Sequence, residues 1–388
     1  MIYLDNAATT WPKPASVRAA VANAMIAFGA NPGRGGHRMS LAAAQQVYTC
    51  REAAARYFGL HDPTDVIFMP NCTAAINTVL FGILHDGGRV LISDLEHNAV
   101  LRPCYALSPG RPRFDVAAWS PNEEETIENF RRSITPQTKL IFCTHASNVF
   151  GVTLPIRRLA KLAHEHGILF GVDAAQTAGV LPLNMEEDGI DYLCVAAHKG
   201  LYAPVGSGML LCNRQATIKP LLYGGTGSHS KLAVQPDELP DRLESGTLNT
   251  AGICGTLAGI RFVERVGRDA IYAHEIRILQ RVYDALHSVP GITLYAPRAE
   301  IGRNAPTLSL NVDGYTSEQT AAQLDRAGVC VRAGLHCAPL AHRRFGTLEG
   351  GAVRLAPSVF TKDDDVEKLC KLFRQLAEKA LHRRENMV

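Results

Sequence analysis

Tyr192-Leu-Cys-Val-Ala-Ala-His-Lys199, read with Ile168-Leu-Phe-Gly-Val-Asp-Ala-Ala-Gln176 upstream, decides the fold. Each stretch is an apolar run too short for a helix that ends abruptly in polar residues, the pattern of a buried strand of a parallel sheet. Working outward, Val66 to Met69, Val90 to Ser93, Leu140 to Thr144 and Met209 to Cys212 repeat it. Between them Thr73 to Leu84, the stretch after Asn122, and Ile156 to Glu165 read as helices. Strands and helices in alternation imply an α/β fold: a mostly parallel mixed sheet covered by helices.

From Ala251 the texture changes. A long helical pattern, Gly255 to His287, precedes short strands at Thr307 to Val312, Val329 to Arg332 and Ala352 to Leu355, then a charged helix whose end, His382 to Asn386, reads as a frayed tail. This is the pattern of a smaller α+β domain. The expected division is a large domain over 15–250 and a small one from 1–14 and 251–388, with the joint near Asn249 to Gly255.

The 388 residues, 46% hydrophobic and 20% charged with a formal charge of +3, describe an ordinary soluble protein. No dense basic run with interleaved aromatics points to nucleic acid, and no segment reaches the roughly 18 apolar residues of a membrane span. Met1-Ile-Tyr-Leu-Asp-Asn6 lacks the pattern of a signal peptide. The ten cysteines show no CxxC spacing, which argues against a metal site and a disulfide framework and fits a reducing, cytoplasmic compartment.

Lys199 and Asp173 both fall at carboxyl ends of expected strands, where ligands bind in open α/β sheets. A lysine can hold pyridoxal 5'-phosphate as a Schiff base, and an aspartate can keep its ring nitrogen protonated. Read singly, they are equally a surface lysine and a helix cap. Thr73 sits where a helix N-terminus favours phosphate, or is a plain cap. His97 can stack on a flat ring or move a proton, and Asn148 can bond a cofactor or substrate group; either also suits an ordinary loop. Cys337 lies outside the apolar elements, in a Gly- and Pro-punctuated loop with Arg332 and His336 beside it to favour thiolate, making it a candidate nucleophile. Arg354, a charge inside a short strand, suggests bidentate binding of a carboxylate or a structural ion pair.

These pieces resemble the class V aminotransferases of fold type I and, within them, the cysteine desulfurases and selenocysteine lyases. The resemblance runs through Leu4-Asp-Asn-Ala-Ala8, Asn31-Pro-Gly-Arg-Gly-Gly-His37, Glu96-His97, Asp173 to Gln176, His198-Lys199, Glu244 to Thr250, Arg332 to Ala338 and Arg354. It implies that Lys199 carries the cofactor and moves the substrate's α proton, Asp173 pairs with the ring nitrogen and Gln176 with the ring hydroxyl. His97 would stack on the ring; Thr73 and His198 would hold the phosphate, joined by Thr247 from the neighbouring subunit of a homodimer. Cys337 would take sulfur from L-cysteine as a persulfide, leaving alanine, and pass it to an acceptor protein. Arg354 and Asn148 would orient the amino acid, with His37 and Arg332 also expected to bind substrate.

Two positions depart from the pattern. Leu335 stands where well-known members have a histidine, and Ala196-Ala197 precede His198 where relatives often carry a serine. The alternatives are a lyase acting on L-selenocysteine, or an aminotransferase or β-lyase using Lys199 without Cys337.

Overall fold

A computed structural model of the chain describes residues 1–33, 35–108, 110, 112–213 and 218–385. Arg34 of the Asn31–His37 motif and Asn386 of the expected tail lie outside the described residues. In chain order the elements are β1 (Ile2–Tyr3), α1 (Ala15–Ala27), α2 (Arg38–Phe58), β2 (Val66–Met69), α3 (Cys72–Ile83), β3 (Arg89–Ser93), α4 (Asn98–Ala106), β4 (Phe114–Ala117), α5 (Glu123–Ser133), β5 (Thr138–Thr144), α6 (Ile156–Glu165), β6 (Leu169–Asp173), α7 (Met185–Asp188), β7 (Tyr192–Ala196) and β8 (Gly208–Cys212). Then follow α8 (Thr250–Val266), α9 (Arg268–Leu286), β9 (Ile292–Leu294), β10 (Leu308–Val312), α10 (Ser317–Arg326), β11 (Val329–Cys330), α11 (Pro339–Arg344), β12 (Val353–Leu355) and α12 (Asp363–Glu385). Among the described residues no helix is long and apolar enough to cross a membrane.

The chain forms two compact units: residues 13–145 with 154–265, and residues 1–12 with 146–153 and 266–388. The larger holds a seven-stranded sheet in the order β2-β8-β7-β6-β5-β3-β4. β8 pairs antiparallel with both β2 and β7, and every other pair is parallel, so six strands run one way and β8 against them. All six carboxyl ends therefore share one edge. Every residue of β7 and β8 is buried, as expected for strands covered on both faces. Phe142 of β5 and Phe170 of β6 are fully buried, each stabilising the core by roughly 1.5–3 kcal/mol. Gly171 makes room for the first, because a Cβ there would come within 2.5 Å of the Phe142 ring.

The helical pattern expected from Gly255 to His287 is two helices, broken at Gly267, whose φ of 92° ends α8 and whose neighbour Arg268 starts α9. The joint expected near Asn249 to Gly255 lies at the start of α8. That helix packs closely within the larger unit: a Cβ on Gly259 would fall 2.0 Å from the Leu201 carbonyl oxygen, and one on Gly255 would strike Pro204.

In the smaller unit β1 pairs parallel with β11, and β12-β10-β9 form an antiparallel sheet. Leu308, Leu310 and Val312 of β10 pack with Leu279 and Val282 of α9 and Leu369 and Phe373 of α12. Residues 146–153 join it through Ser309 Oγ donating to the Val149 carbonyl at 2.6 Å and Ala305 N donating to Gly151 O at 2.7 Å.

Candidate active site

Within the larger unit, Asp173, Lys199 and the start of α3 lie at the shared sheet edge. Asp173 is the last residue of β6 and is buried; its Oδ1 accepts from Ala175 N at 2.9 Å and from the Cys72 thiol at 3.4 Å. Cys72 opens α3, so this bond brings the start of α3 to the end of β6. Burial first, then the Asp173 charge, push the Cys72 thiol well above its ordinary pKa, so it stays a neutral donor, with Lys199 pulling the other way.

Lys199 follows β7 in a tight turn, with its N–H donating to Ala196 O at 3.3 Å and its carbonyl accepting from Tyr202 N at 2.8 Å. Beside it, Lys13 Nζ donates to the His198 carbonyl at 2.7 Å, and burial brings that amine down to about 8. Burial, then Lys199 and Lys13, lower His198 to about 4, so its imidazole is neutral at physiological pH.

The helix N-terminus is built differently from the Thr73 cap considered above. Asn71 is the N-cap, its Oδ1 accepting from Ala74 N at 2.9 Å, and Thr73 is the exposed second residue of α3. The first N–H groups of a helix have no partner within it, and the positive dipole end favours an anion. Gly208, the first residue of β8, lies against this turn; a Cβ would come within 2.6 Å of the Asn71 carbonyl carbon.

His97 caps α4, with Nδ1 accepting from Ala99 N at 3.0 Å, which assigns that nitrogen as an acceptor. Glu96 before it is fully buried and accepts from Thr144 N at 2.9 Å and from the Ser93 hydroxyl. Burial pushes its carboxyl up to about 8 against those donors. The sequence reading assigned Glu96 no role; a carboxylate between a strand end and a cap was the available signal. Gln176 is half-buried in the turn after Asp173.

Thr247 and His37 are exposed and line one cavity of about 870 Å³ in the larger unit. Its wall includes Arg51 and Glu244, a buried ion pair that also takes Phe68 N and stacks Arg51 over the Phe68 ring. His37 caps α2, its Nδ1 accepting from Ser40 N at 3.3 Å.

Cys337 belongs to the smaller unit and is the exposed cysteine of the chain, eight others being buried and Cys330 intermediate. His336 and Cys337 both have left-handed backbone, φ 47° and 56°, costing roughly 1–3 kcal/mol each for non-glycine residues. The turn is short and braced: Gly334 O accepts from Ala352 N at 3.1 Å, and Gly351 packs so closely that its Cβ would lie 2.7 Å from the Gly334 backbone. The expected cationic help from His336 is absent. Burial, then the Arg354 and Arg332 charges, lower it to about 3, so the ring is neutral, with Nε2 bonded to Ala352 O at 2.9 Å.

Arg354 is 2% exposed in β12, paired by an isolated bridge to Arg332. Nη2 donates to Asp5 Oδ1 at 2.7 Å and Nη1 to the Asn148 carbonyl at 2.9 Å, while Nε is buried with no hydrogen-bond partner. The arginine is thus an ion-pair residue with one donor open, rather than a free bidentate fork. Asn148 is likewise more occupied than expected: its Nδ2 donates to the His336 carbonyl at 2.8 Å and Oδ1 is buried without a partner.

These two units are matched by known proteins along nearly the whole chain. The model of the family "Aminotransferase class-V" matches residues 2–369. A probable cysteine desulfurase of Methanothermobacter thermautotrophicus is 30% identical over 389 residues, covering 97% of this chain and 94% of that protein. The apo structure of a cysteine desulfurase from Thermococcus onnurineus superimposes with a TM-score of 0.88 at 30% identity, covering 97% of this chain and 95% of that one. One from Escherichia coli, at 23% identity and a TM-score of 0.85, shares the fold. The chain belongs to the class V aminotransferase family and, within it, to the group of enzymes called cysteine desulfurases.

Proposed function

We propose that the chain is a pyridoxal phosphate-dependent cysteine desulfurase, converting L-cysteine to L-alanine and taking the sulfur on Cys337. The observation that carries the cofactor is the donor set on the sheet edge: an amine at the end of β7, a carboxylate at the end of β6 and a helix N-terminus after β2. That set suits a phosphorylated pyridine aldehyde, and Gly208 keeps the helix end clear of a side chain. When bound, the cofactor supplies an electron sink for the carbon skeleton of the amino acid.

The chain's own residues would act as follows. Lys199 would hold the cofactor through its amine and would move the substrate's α proton. Asp173, its Oδ1 fixed by the Cys72 thiol and Ala175 N–H, would keep the ring nitrogen protonated. Gln176 would bond the ring hydroxyl and His97 would stack on the ring. Thr73 and His198 would hold the phosphate, the neutral His198 as a hydrogen-bond donor.

Arg354 Nε and Asn148 Oδ1 are buried atoms without partners, one donor and one acceptor, and suit an amino acid's carboxylate and ammonium. Arg332 and His37 are further substrate contacts in this reading. The Cys337 thiolate attacks the sulfur of L-cysteine; the S–S bond forms as the Cβ–S bond breaks, and the carbon fragment, protonated, leaves as alanine. The persulfide then passes its terminal sulfur to an acceptor protein.

Homodimer formation, with Thr247 reaching the partner's phosphate site, is supported by exposed apolar residues on the larger unit: Met25, Ile26, Leu222, Tyr223 and Val234 are each more than two-thirds exposed. The test is purified protein loaded with pyridoxal phosphate and fed L-cysteine labelled in sulfur. Label on Cys337 with an equivalent of alanine is the expected result. A colourless protein, or alanine formed at an undiminished rate by Cys337→Ala, would sink the reading. L-selenocysteine turnover surviving that substitution would identify a lyase.

A further inference from the structure

The backbone of the cysteine turn is held by a side chain that the proposed reaction uses only for substrate. Asn148 Nδ2 donates to the carbonyl of His336, the residue before Cys337, at 2.8 Å. The carbonyl of Asn148 itself accepts from Arg354 Nη1 at 2.9 Å, and Arg354 Nη2 is anchored on Asp5 at 2.7 Å. Asp5, Arg354, Asn148 and His336 thus form one continuous series of hydrogen bonds within the smaller unit, ending at a left-handed turn. Asn148 is 8% exposed, Arg354 2% and His336 6%, so water does not compete for the two bonds at Asn148, while the Asp5 end is partly exposed, its side chain at 21%.

Two consecutive non-glycine residues at positive φ persist only where the surroundings impose them. His336 is fixed twice, by Asn148 on its carbonyl and by Ala352 on its ring. Removing the Asn148 donor frees the carbonyl to rotate, and the φ of Cys337 with it. At the far end, Arg354 Nε is a buried donor with no partner in the chain. A carboxylate accepting from it redistributes the guanidinium's hydrogen bonding, including the bond to Asn148 O.

We propose that Asn148 is a positioning residue for Cys337, holding the turn that presents the thiol, and that a carboxylate taken up by Arg354 alters the reactivity of Cys337 through it. The proposal rests on the desulfurase reading only for the identity of that carboxylate as an amino acid.

The experiment measures the rate at which iodoacetamide alkylates Cys337 in the full chain, by peptide mass, with the half-buried Cys330 as internal reference. It uses wild type, Asn148→Ala and the isosteric Asn148→Asp, each with and without L-alanine, which carries the carboxylate but no sulfur. The expected result is a several-fold change on adding L-alanine to wild type, the size of one net hydrogen bond. Both variants should show a shifted basal rate and no response to L-alanine, with Cys330 unchanged.

Rates at Cys337 equal to wild type in both variants would overturn the proposal, as would parallel changes at Cys330, which report general loosening. Should Asn148→Ala fail to fold, Asn148→Asp and the wild-type response to L-alanine decide. Sulfur release by the wild type is followed separately: its presence with Asn148-independent alkylation removes the positioning role alone. Its absence with Asn148-dependent alkylation removes the desulfurase reading alone.

Discussion

The edge of the seven-stranded sheet and the turn at Cys337 place reactive groups by opposite means. At the sheet edge Asp173 is fixed by strand register, β6 pairing it with Cys194 of β7, and Lys199 follows β7 in a turn bonded back to Ala196 at the strand's end. Cys337 lies in no strand or helix; its turn is held by one bond from Asn148, two to Ala352 and the contact of two glycines. A group that must orient a cofactor gains from many cooperating bonds. One proposed to hand sulfur outward gains from a short loop whose conformation a few bonds decide.

The sharpest break of the comparison is Lys199→Ala. Loss of the base alone is worth roughly 10²–10⁴ in rate, and the visible absorbance of the loaded protein should vanish with it. Next, Arg51→Ala leaves Glu244 buried and unpaired beneath the Thr247 segment; a loss of about 3–5 kcal/mol in urea unfolding is expected. Cys337→Ser, by contrast, should keep the absorbance and the unfolding midpoint of wild type while sulfur transfer falls about a hundred-fold, equivalent to about 2.7 kcal/mol of barrier. Were the absorbance lost as well, the division of labour between sheet edge and turn would be wrong.

The pH dependence separates the units. His145 and His198 in the larger unit are lowered to about 4, and His336 and His342 in the smaller to about 3 and about 4, all by burial first. Folded values below the unfolded one mean that stability is present above about 6.5 and is lost as pH falls toward 4 and 3. Both units should therefore weaken in acid. Glu96, raised to about 8, acts on the larger unit alone and with the opposite sense: the unfolded chain ionises first, so stability falls as pH rises from about 4.5 to 8. Urea midpoints at pH 5 and 9 for wild type and Glu96→Gln check this; the variant should flatten the alkaline decline.

The sheet was legible because its strands are short apolar runs with abrupt ends; Val66 to Met69 and Tyr192 to Ala196 appear with the bounds read from sequence. β1, two residues long, carries no periodicity, and its pairing with β11, which was expected at Val329 to Arg332, joins residues more than 300 positions apart. Gly267 was hidden inside an apolar periodicity that continued on both sides. The membership of residues 146–153 in the smaller unit was illegible because those residues sit between two segments of the larger one. In the candidate site, residue type pointed to Lys199, Asp173 and Cys337. What sequence could not give was occupancy: that Arg354 already holds Asp5, that His336 is neutral, and that Cys72 spends its thiol proton on Asp173.

The division of the chain also sets an order in time. Every residue of the larger unit has been made once Arg265 is added, whereas Cys337 comes 72 residues later, roughly 4–14 s at ordinary elongation rates. The sheet edge can therefore form, and the proposed cofactor can bind there, before the thiol exists. During that interval the nascent protein would carry pyridoxal chemistry with no sulfur-accepting group, and β1, made first of all the strands, must wait for β11 to find its partner.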